Sequence, residues 1–227
     1  MRSVEIERSV ETAVRPSQRV LETASMFGLG VDEQRLLAVV PRCTIPLPAA
    51  GVVFVTGPSG GGKTTILNLI ARRCGEAGWP VIRFDDLPAP PEVPLVDVFD
   101  GPGLDLARAT ALLAMAGLGD AFVMLRCPSQ LSDGQRYRLR LAQTIELAER
   151  GAVEVAGGAA AMVIADEFGA TLDRLTAKNI ARSMRRWTKR TGHTFICATT
   201  HDDILEALDP DVLIHKGLDE GIEVLTR

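Results

Sequence analysis

Apolar positions along the chain fall into two kinds of run. Short, continuous, β-branched runs read as strands buried on both faces, whereas apolar residues spaced three and four apart read as helices. Residues 51–56 (GVVFVT), 159–165 and 194–199 are of the first kind, with a shorter run at 81–84. Residues 212–214 and 222–225 are placed to close the same sheet. Helices are expected over 64–73, 107–116, 136–150 and 176–190, with a short one over 204–208. Near the start, Val4, Ile6 and Val10 alternate with charged residues, the pattern of an edge strand. Residues 18–27 read as a short helix that stops at the Gly28-Leu29-Gly30 break. Prolines at 41, 46 and 48 restrict 40–48 to extended or looped backbone, because each lacks a donor and biases its predecessor away from helix. The prolines within 87–94 make that stretch a loop. Strands alternating with helices imply an α/β fold: a mostly parallel sheet with flanking helices on both faces. No internal repeat or low-complexity tract interrupts the pattern.

Composition changes this picture little. With 46% hydrophobic and 24% charged residues, the 227-residue chain can build a sizeable core. A net charge of -4 gives no overall basic footprint for nucleic acid. Cys43, Cys74, Cys127 and Cys197 are scattered and form no Cys-x-x-Cys pair, so neither zinc nor a disulfide framework is expected. The N-terminus has frequent charges and no apolar signal core, and no apolar run approaches the roughly 18 residues that span a bilayer. The expectation is a cytoplasmic protein without direct membrane insertion.

Chemistry enters at Gly57-Pro58-Ser59-Gly60-Gly61-Gly62-Lys63-Thr64-Thr65, which fits G-x-x-x-x-G-K-[ST] between an expected strand and an expected helix. Glycines let successive backbone N–H groups surround phosphate oxygens, and the helix N-terminus adds its positive end. Lys63 is expected to reach the β- and γ-phosphates, and Thr64 to place its hydroxyl on Mg²⁺. Further on, an apolar strand runs into Asp166-Glu167. Acids at the C-terminal end of a parallel strand stand at the crevice where α/β sheets bind ligands. Asp166 is then a Mg²⁺ residue acting through its water shell, and Glu167 the general base for the attacking water. Ser132, Asp133, Gly134 and Gln135 open another helix, where a hydroxyl and N–H groups offer a second phosphate site. Standing alone this would be an ordinary Ser cap. Beside a complete phosphate loop, it is most simply explained by a nucleotide that a second subunit holds.

In this order, GPSGGGKTT, LSDGQ, MVIADE, ATLD and TTHDD resemble the ATP-binding cassette (ABC) ATPases over residues 40–216. The resemblance implies one ABC-type P-loop NTPase domain over 1–227, with N-terminal antiparallel strands and a reduced helical and signature subdomain at about 87–150. It implies ATP and Mg²⁺ as ligands and a homodimer on ATP binding. It also implies that His201 contacts the γ-phosphate, holding attack geometry with Glu167, and that Asp173 crosses the dimer seam. His193 and His215 are read as structural. The phrases at 26–31, 117–122, 131–138 and 198–201 resemble a narrower group, soluble ABC-type ATPases fused to a predicted GNAT-type acetyltransferase domain. That likeness implies an acetyltransferase-like partner, the chain being the ATPase part alone.

Three departures from the family pattern stand out. Asp133 takes the place of a glycine, and its extra carboxylate either weakens closure or is directed at another group. Transporter cassettes carry a glutamine loop between phosphate loop and signature, yet no glutamine lies between Lys63 and Ser129; Asp97 or Asp100 is the candidate for that place. The interval is also short for a transporter-docking subdomain, and both points argue against transport. A transporter subunit would also need a surface groove for its membrane partner's coupling helix. Lastly, Phe27 is the only aromatic of the first fifty residues, and is either the adenine-stacking residue or core. A DNA-associated cassette of the genome-maintenance type is the other alternative. Arg182, Arg185, Arg186 and Lys189 share one helix face, with Arg136, Arg138 and Arg140 on another helix. Such faces are more often simply solvated, so nucleic acid is not favoured.

Overall fold

The run that feeds the glycine-rich loop forms the middle of the sheet. In the computed structural model, which describes residues 2–227 except 13–14, 16, 29–34, 102, 155–159 and 219–220, the strands are β1 (Arg2–Thr12), β2 (Arg35–Leu47), β3 (Val52–Thr56), β4 (Val81–Arg83), β5 (Met162–Ala165), β6 (Thr194–Thr199), β7 (Val212–Lys216) and β8 (Ile222–Thr226). The helices are α1 (Gln18–Met26), α2 (Lys63–Glu76), α3 (Leu106–Met115), α4 (Ala121–Met124), α5 (Asp133–Glu154), α6 (Arg174–Thr191) and α7 (Leu205–Leu208). A six-stranded sheet has the order β4-β5-β6-β3-β7-β8. All of its strands are parallel except β8, which returns antiparallel to β7. β1 and β2 pair antiparallel as a separate two-stranded sheet. The α/β P-loop fold with N-terminal antiparallel strands is therefore observed as expected.

Side chains alternate across the central strands even where both faces are buried. Val52 and Phe54 of β3, Val163 of β5 and Phe195 of β6 pack with Leu112 of α3, Leu141 and Ile145 of α5 and Trp187 of α6. Val53, Val55, Ile164 and Ile196 point the other way, toward Ile66, Leu67 and Ile70 of α2 and Ile6, Ile45 and Leu47 of the β1–β2 layer. Pro41 and Pro46 lie within β2, which pairs only with β1, so the missing donors leave no ladder unfilled.

Boundaries differ from expectation where side chains cap the backbone. α5 begins at Asp133, not at 136, because Ser132 and Gln135 cap it reciprocally: Gln135 N donates to Ser132 Oγ (3.3 Å) and Ser132 N to Gln135 Oε1 (3.0 Å). α6 begins at Arg174 because Asp173 accepts from Thr176 N at 2.9 Å. The strand expected over 159–165 starts only at Met162; position 159 lies outside the described residues, and Ala161 N donates to His193 Nδ1 at 3.0 Å. That contact bears out the structural reading of His193. Phe84 leaves β4 as the start of a 3₁₀ turn, Phe84–Asp86. Phe27 is 74% exposed, which removes its core alternative.

One polar contact ties α6 to the end of the sheet. Arg185, only 8% exposed, donates to Asp211 Oδ1 at 3.0 Å, and Asp211 also accepts from Val52 N at 2.8 Å. Burial alone would push the Asp211 carboxyl up, but the Arg185 and Val52 bonds hold it below its usual value. Asp211→Ala leaves the buried guanidinium with only its longer contact to Asp209 (3.5 Å) and should cost about 3 kcal/mol, read from urea unfolding at neutral pH. A folded-state pKa below the unfolded one stabilises above the unfolded value, and that contribution is lost as pH falls through the folded value. The gap between wild type and variant should therefore close in acid.

Candidate active site

β3 delivers the chain into the loop 57–62 and α2 carries it away. Gly57, Gly60 and Gly62 have φ of 140°, 76° and 96°, a region that favours glycine. At Gly57 the need is also steric, since a Cβ would lie 2.0 Å from the Lys216 carbonyl oxygen. Lys63 folds over the loop and donates to the carbonyls of Gly57 (2.9 Å) and Pro58 (2.8 Å). Burial lowers the Lys63 pKa, against the raising charges of Asp166, Glu167 and Asp202. Beside this lysine lies a cavity of 390 Å³, whose walls include Ser59, Gly60, Thr64, Asp166, Glu167 and Thr200.

β5 supplies the acids. Asp166 Oδ2 accepts the Thr64 hydroxyl proton at 2.6 Å, and Asp166 Oδ1 accepts from Glu167 N at 2.9 Å. Thr64 and Asp166 thus bring two hard oxygens together at the cavity wall, a donor pair that fits a divalent cation which takes its other ligands from phosphate and water. No cluster of three or more His, Cys, Asp or Glu able to hold a metal occurs among the described residues, so the donor set suits such a shared site and not an all-protein cage. Glu167 is exposed at the cavity with φ of 45°, a strained conformation for a non-glycine residue. Thr199 and Thr200 at the end of β6 also line the cavity. His201 follows them, its N–H on Thr199 Oγ1 at 3.3 Å, and is not itself among the lining residues.

The capped start of α5 lies elsewhere. Ser132 and Asp133 are exposed, and no residue of 132–135 borders the phosphate-loop cavity. Asp133 pairs with Arg136 at 2.6 Å, which places a cation beside the carboxylate that replaces glycine. Asp173 caps α6 at the surface, and its bonds from Thr176 hold its carboxyl below the usual range. One chain therefore assembles the loop, the lysine and the acids, and leaves the signature residues and Asp173 outside that cavity.

Three residues that residue patterns alone did not single out act on the site's elements without lining its cavity. Asp85 follows β4, the neighbour of β5 in the sheet, and burial followed by the charge of Asp166 pushes its carboxyl up. Asp97 and Asp100, the candidates for the glutamine place, line a different cavity with Asp105 and Leu106. The position of Asp85 just past the run 81–84 was the available signal, by the strand-end rule applied to Asp166. Asp202 accepts the Thr56 hydroxyl proton. The Tyr137 hydroxyl accepts from Gly169 N at 3.0 Å.

The proposed basic faces do not survive as drawn. Arg185 is buried on Asp211. Arg138 donates to the carbonyls of Gly134 and Gly117, and Arg140 to that of Leu87. Burial raises the thiol of Cys74 to about 11 and that of Cys197 further, in keeping with inert core cysteines.

The central sheet, phosphate loop and strand-end acids define a P-loop nucleotide-hydrolase class of protein. No protein-family profile matches the chain. It is 30% identical over 194 residues to the lipoprotein-releasing system ATP-binding protein LolD of Anaeromyxobacter dehalogenans, covering 71% of this chain and 76% of that protein. It is 30% identical over 215 residues to the sulfate/thiosulfate import ATP-binding protein CysA of Acinetobacter baylyi (79% of this chain, 56% of that one). The macrolide export ATP-binding/permease protein MacB of Chromobacterium violaceum is 27% identical over 229 residues, where the chain spans only 33% of its length. In fold it is similar to a dimeric ATP-binding cassette solved in a post-hydrolysis state with ADP and Pi, at TM-score 0.61 and 17% identity, covering 99% of this chain and 100% of that one. The chain belongs to the ATP-binding cassette family and is an ABC-type ATPase.

Proposed function

We propose that the chain binds and hydrolyses Mg-ATP in a head-to-tail homodimer, each nucleotide lying between one copy's phosphate loop and the other's signature. The observation that carries this is the separation just described: a capped, exposed helix start at Ser132 that does not reach the cavity beside Lys63 of its own chain. Glu167 orients and deprotonates the attacking water. Lys63 and His201 stabilise charge on the γ-phosphate, and Asp173 crosses the seam. Thr64 and Asp166 would hold Mg²⁺, which when bound would neutralise charge on the phosphate oxygens. Residues 57–65 cradle the triphosphate, and 132–135 meet the nucleotide of the other copy. The chain is one cassette, with 87–150 as its helical and signature subdomain. Catalysis on this plan is positioning and electrostatics, and an open monomer lacks half of it.

For the work done by the cycle, a membrane permease is the partner best supported. The relatives named above serve export, import and lipoprotein release, and the acetyltransferase-like partner gains no support from them. Lack of a glutamine between Lys63 and Ser129 therefore does not separate this chain from transport cassettes. A groove of 560 Å³ between the loop after β4 and α5, with Phe84, Pro90, Tyr137 and Arg140 in its walls, is the surface we assign to a partner's coupling helix. No helix of the described residues is long and apolar enough to cross a membrane. The burial of Arg185 takes one cation from the α6 face proposed for DNA, where Arg182, Arg186 and Lys189 stay exposed.

The test is the ATPase rate against protein concentration, with Mg²⁺ and with chelator. Rate per molecule should rise with concentration and vanish on chelation. A rate strictly proportional to protein far below any dimerisation constant would sink the shared site.

A further inference from the structure

The turn that carries Glu167 is held by contacts from outside it, and these are traceable. Glu167 N goes to Asp166 Oδ1, and Ala170 N returns to the Glu167 carbonyl at 2.9 Å. The two N–H groups between them leave the turn altogether. Phe168 N donates to the Ala198 carbonyl of β6 at 2.8 Å, and its fully buried ring meets Phe195 edge-on with centroids 5.1 Å apart. Gly169 N, which is buried, donates to the Tyr137 hydroxyl of α5 at 3.0 Å. Gly169 reaches its φ of 72° freely, as glycine does, but Glu167 is held at φ 45°, a conformation a non-glycine residue does not favour and that its surroundings must impose.

Tyr137 is therefore one of two external anchors, and the only one of the two that also borders the groove. Its ring lies 4.8 Å from that of Phe84, at the exit of β4. Arg140, one turn along α5, stands 5.9 Å over Phe84 and donates to the Leu87 carbonyl at 3.1 Å. Glu92 on the same loop accepts from the Ser129 N–H at 3.3 Å and from its hydroxyl, just before the signature. Burial raises the phenol's pKa well above its usual value, so the group is neutral throughout the working range and serves by position alone.

We propose that Tyr137 is a positioning residue for Glu167: it fixes the turn bearing the general base to the signature helix and to the groove wall, so that a change at the groove reaches hydrolysis through its hydroxyl. This rests on the assignment of Glu167 as general base.

Tyr137→Phe tests it, because the ring stays against Phe84 while Gly169 N loses its acceptor. The variant's kcat should fall about tenfold, the scale on which small misplacements near a reacting centre act. KM for Mg-ATP and the affinity for a fluorescent ATP analogue should stay within about twofold, since a positioning defect spares ground-state binding. In a Glu167→Gln background the added Tyr137→Phe should lower residual phosphate release no further. An unchanged kcat would overturn the proposal, as would an equal fall in the Glu167→Gln background. A merely structural role would lower nucleotide affinity and the urea midpoint together with kcat, and that result would overturn it too. Failure of wild type to hydrolyse ATP would overturn the ATPase reading and this inference with it, whereas wild-type hydrolysis that Tyr137→Phe leaves untouched removes this inference alone.

Discussion

Glu167→Gln should lower phosphate release at least about a hundredfold while ATP affinity is kept, the range expected for loss of a general base. The amide has nearly the volume of the carboxylate and can still accept a bond from water, but it cannot take up a proton. Nothing that holds the turn depends on the carboxylate: its anchors are the N–H groups of residues 167, 168 and 169 on Asp166, Ala198 and Tyr137. Lys63 and the Thr64–Asp166 pair, which bind phosphate and cation on this plan, are unchanged. With hydrolysis blocked, the closed dimer should accumulate. Sedimentation velocity should show a monomer without nucleotide and a dimer in Mg-ATP. A variant that turns over within about tenfold of wild type would move the base to another acid, and Asp85 and Asp202 are the carboxylates then to replace. A monomer in saturating Mg-ATP would mean that Asp133 opposes closure despite its pairing with Arg136, or that a partner must complete the site.

What could be read from the residues was what local chemistry dictates. β3, β5 and β6 are buried on both faces, so their apolar runs declared them, and the glycines of 57–62 declared the loop between strand and helix. Boundaries moved where one side chain decides them: the Ser132–Gln135 cap starts α5 three residues early, and Asp173 starts α6. Tertiary neighbours were not legible. Asp85 matters because β4 lies beside β5, a pairing that joins residues about eighty apart, and Tyr137 because α5 passes the turn after β5. Residue type along the chain points to Asp97 and Asp100 for the glutamine place, but these line a different cavity, whereas Asp85 is the acid that feels the charge of Asp166. Arg185 shared a helix face with other cations on paper, but α6 turns that position inward onto Asp211.

Gly57→Ala should abolish nucleotide binding and destabilise the fold by about 3 kcal/mol, the upper range for a strained backbone position combined with overpacking. The added Cβ would sit 2.0 Å from the Lys216 carbonyl oxygen at a φ of 140°. That oxygen belongs to β7, which is registered against β3 with Thr56 opposite His215 and paired on its far side with β8. Neither partner can step back without breaking a ladder, so the loop itself must move. Its carbonyls are the ones that Lys63 now contacts, and its N–H groups are those that would face phosphate. Gly78→Ala provides the comparison, since Gly78 has a φ of 73° but open space around its Cβ position. That substitution carries left-handed strain alone, about 1 kcal/mol, at a site away from the cavity. Urea midpoints and titration with a fluorescent ATP analogue separate the two effects. If Gly57→Ala lost no more stability than Gly78→Ala and still bound nucleotide, the close approach of Lys216 would not constrain the loop, and the rigidity assigned to the cradle would have to come from Lys63 and the start of α2.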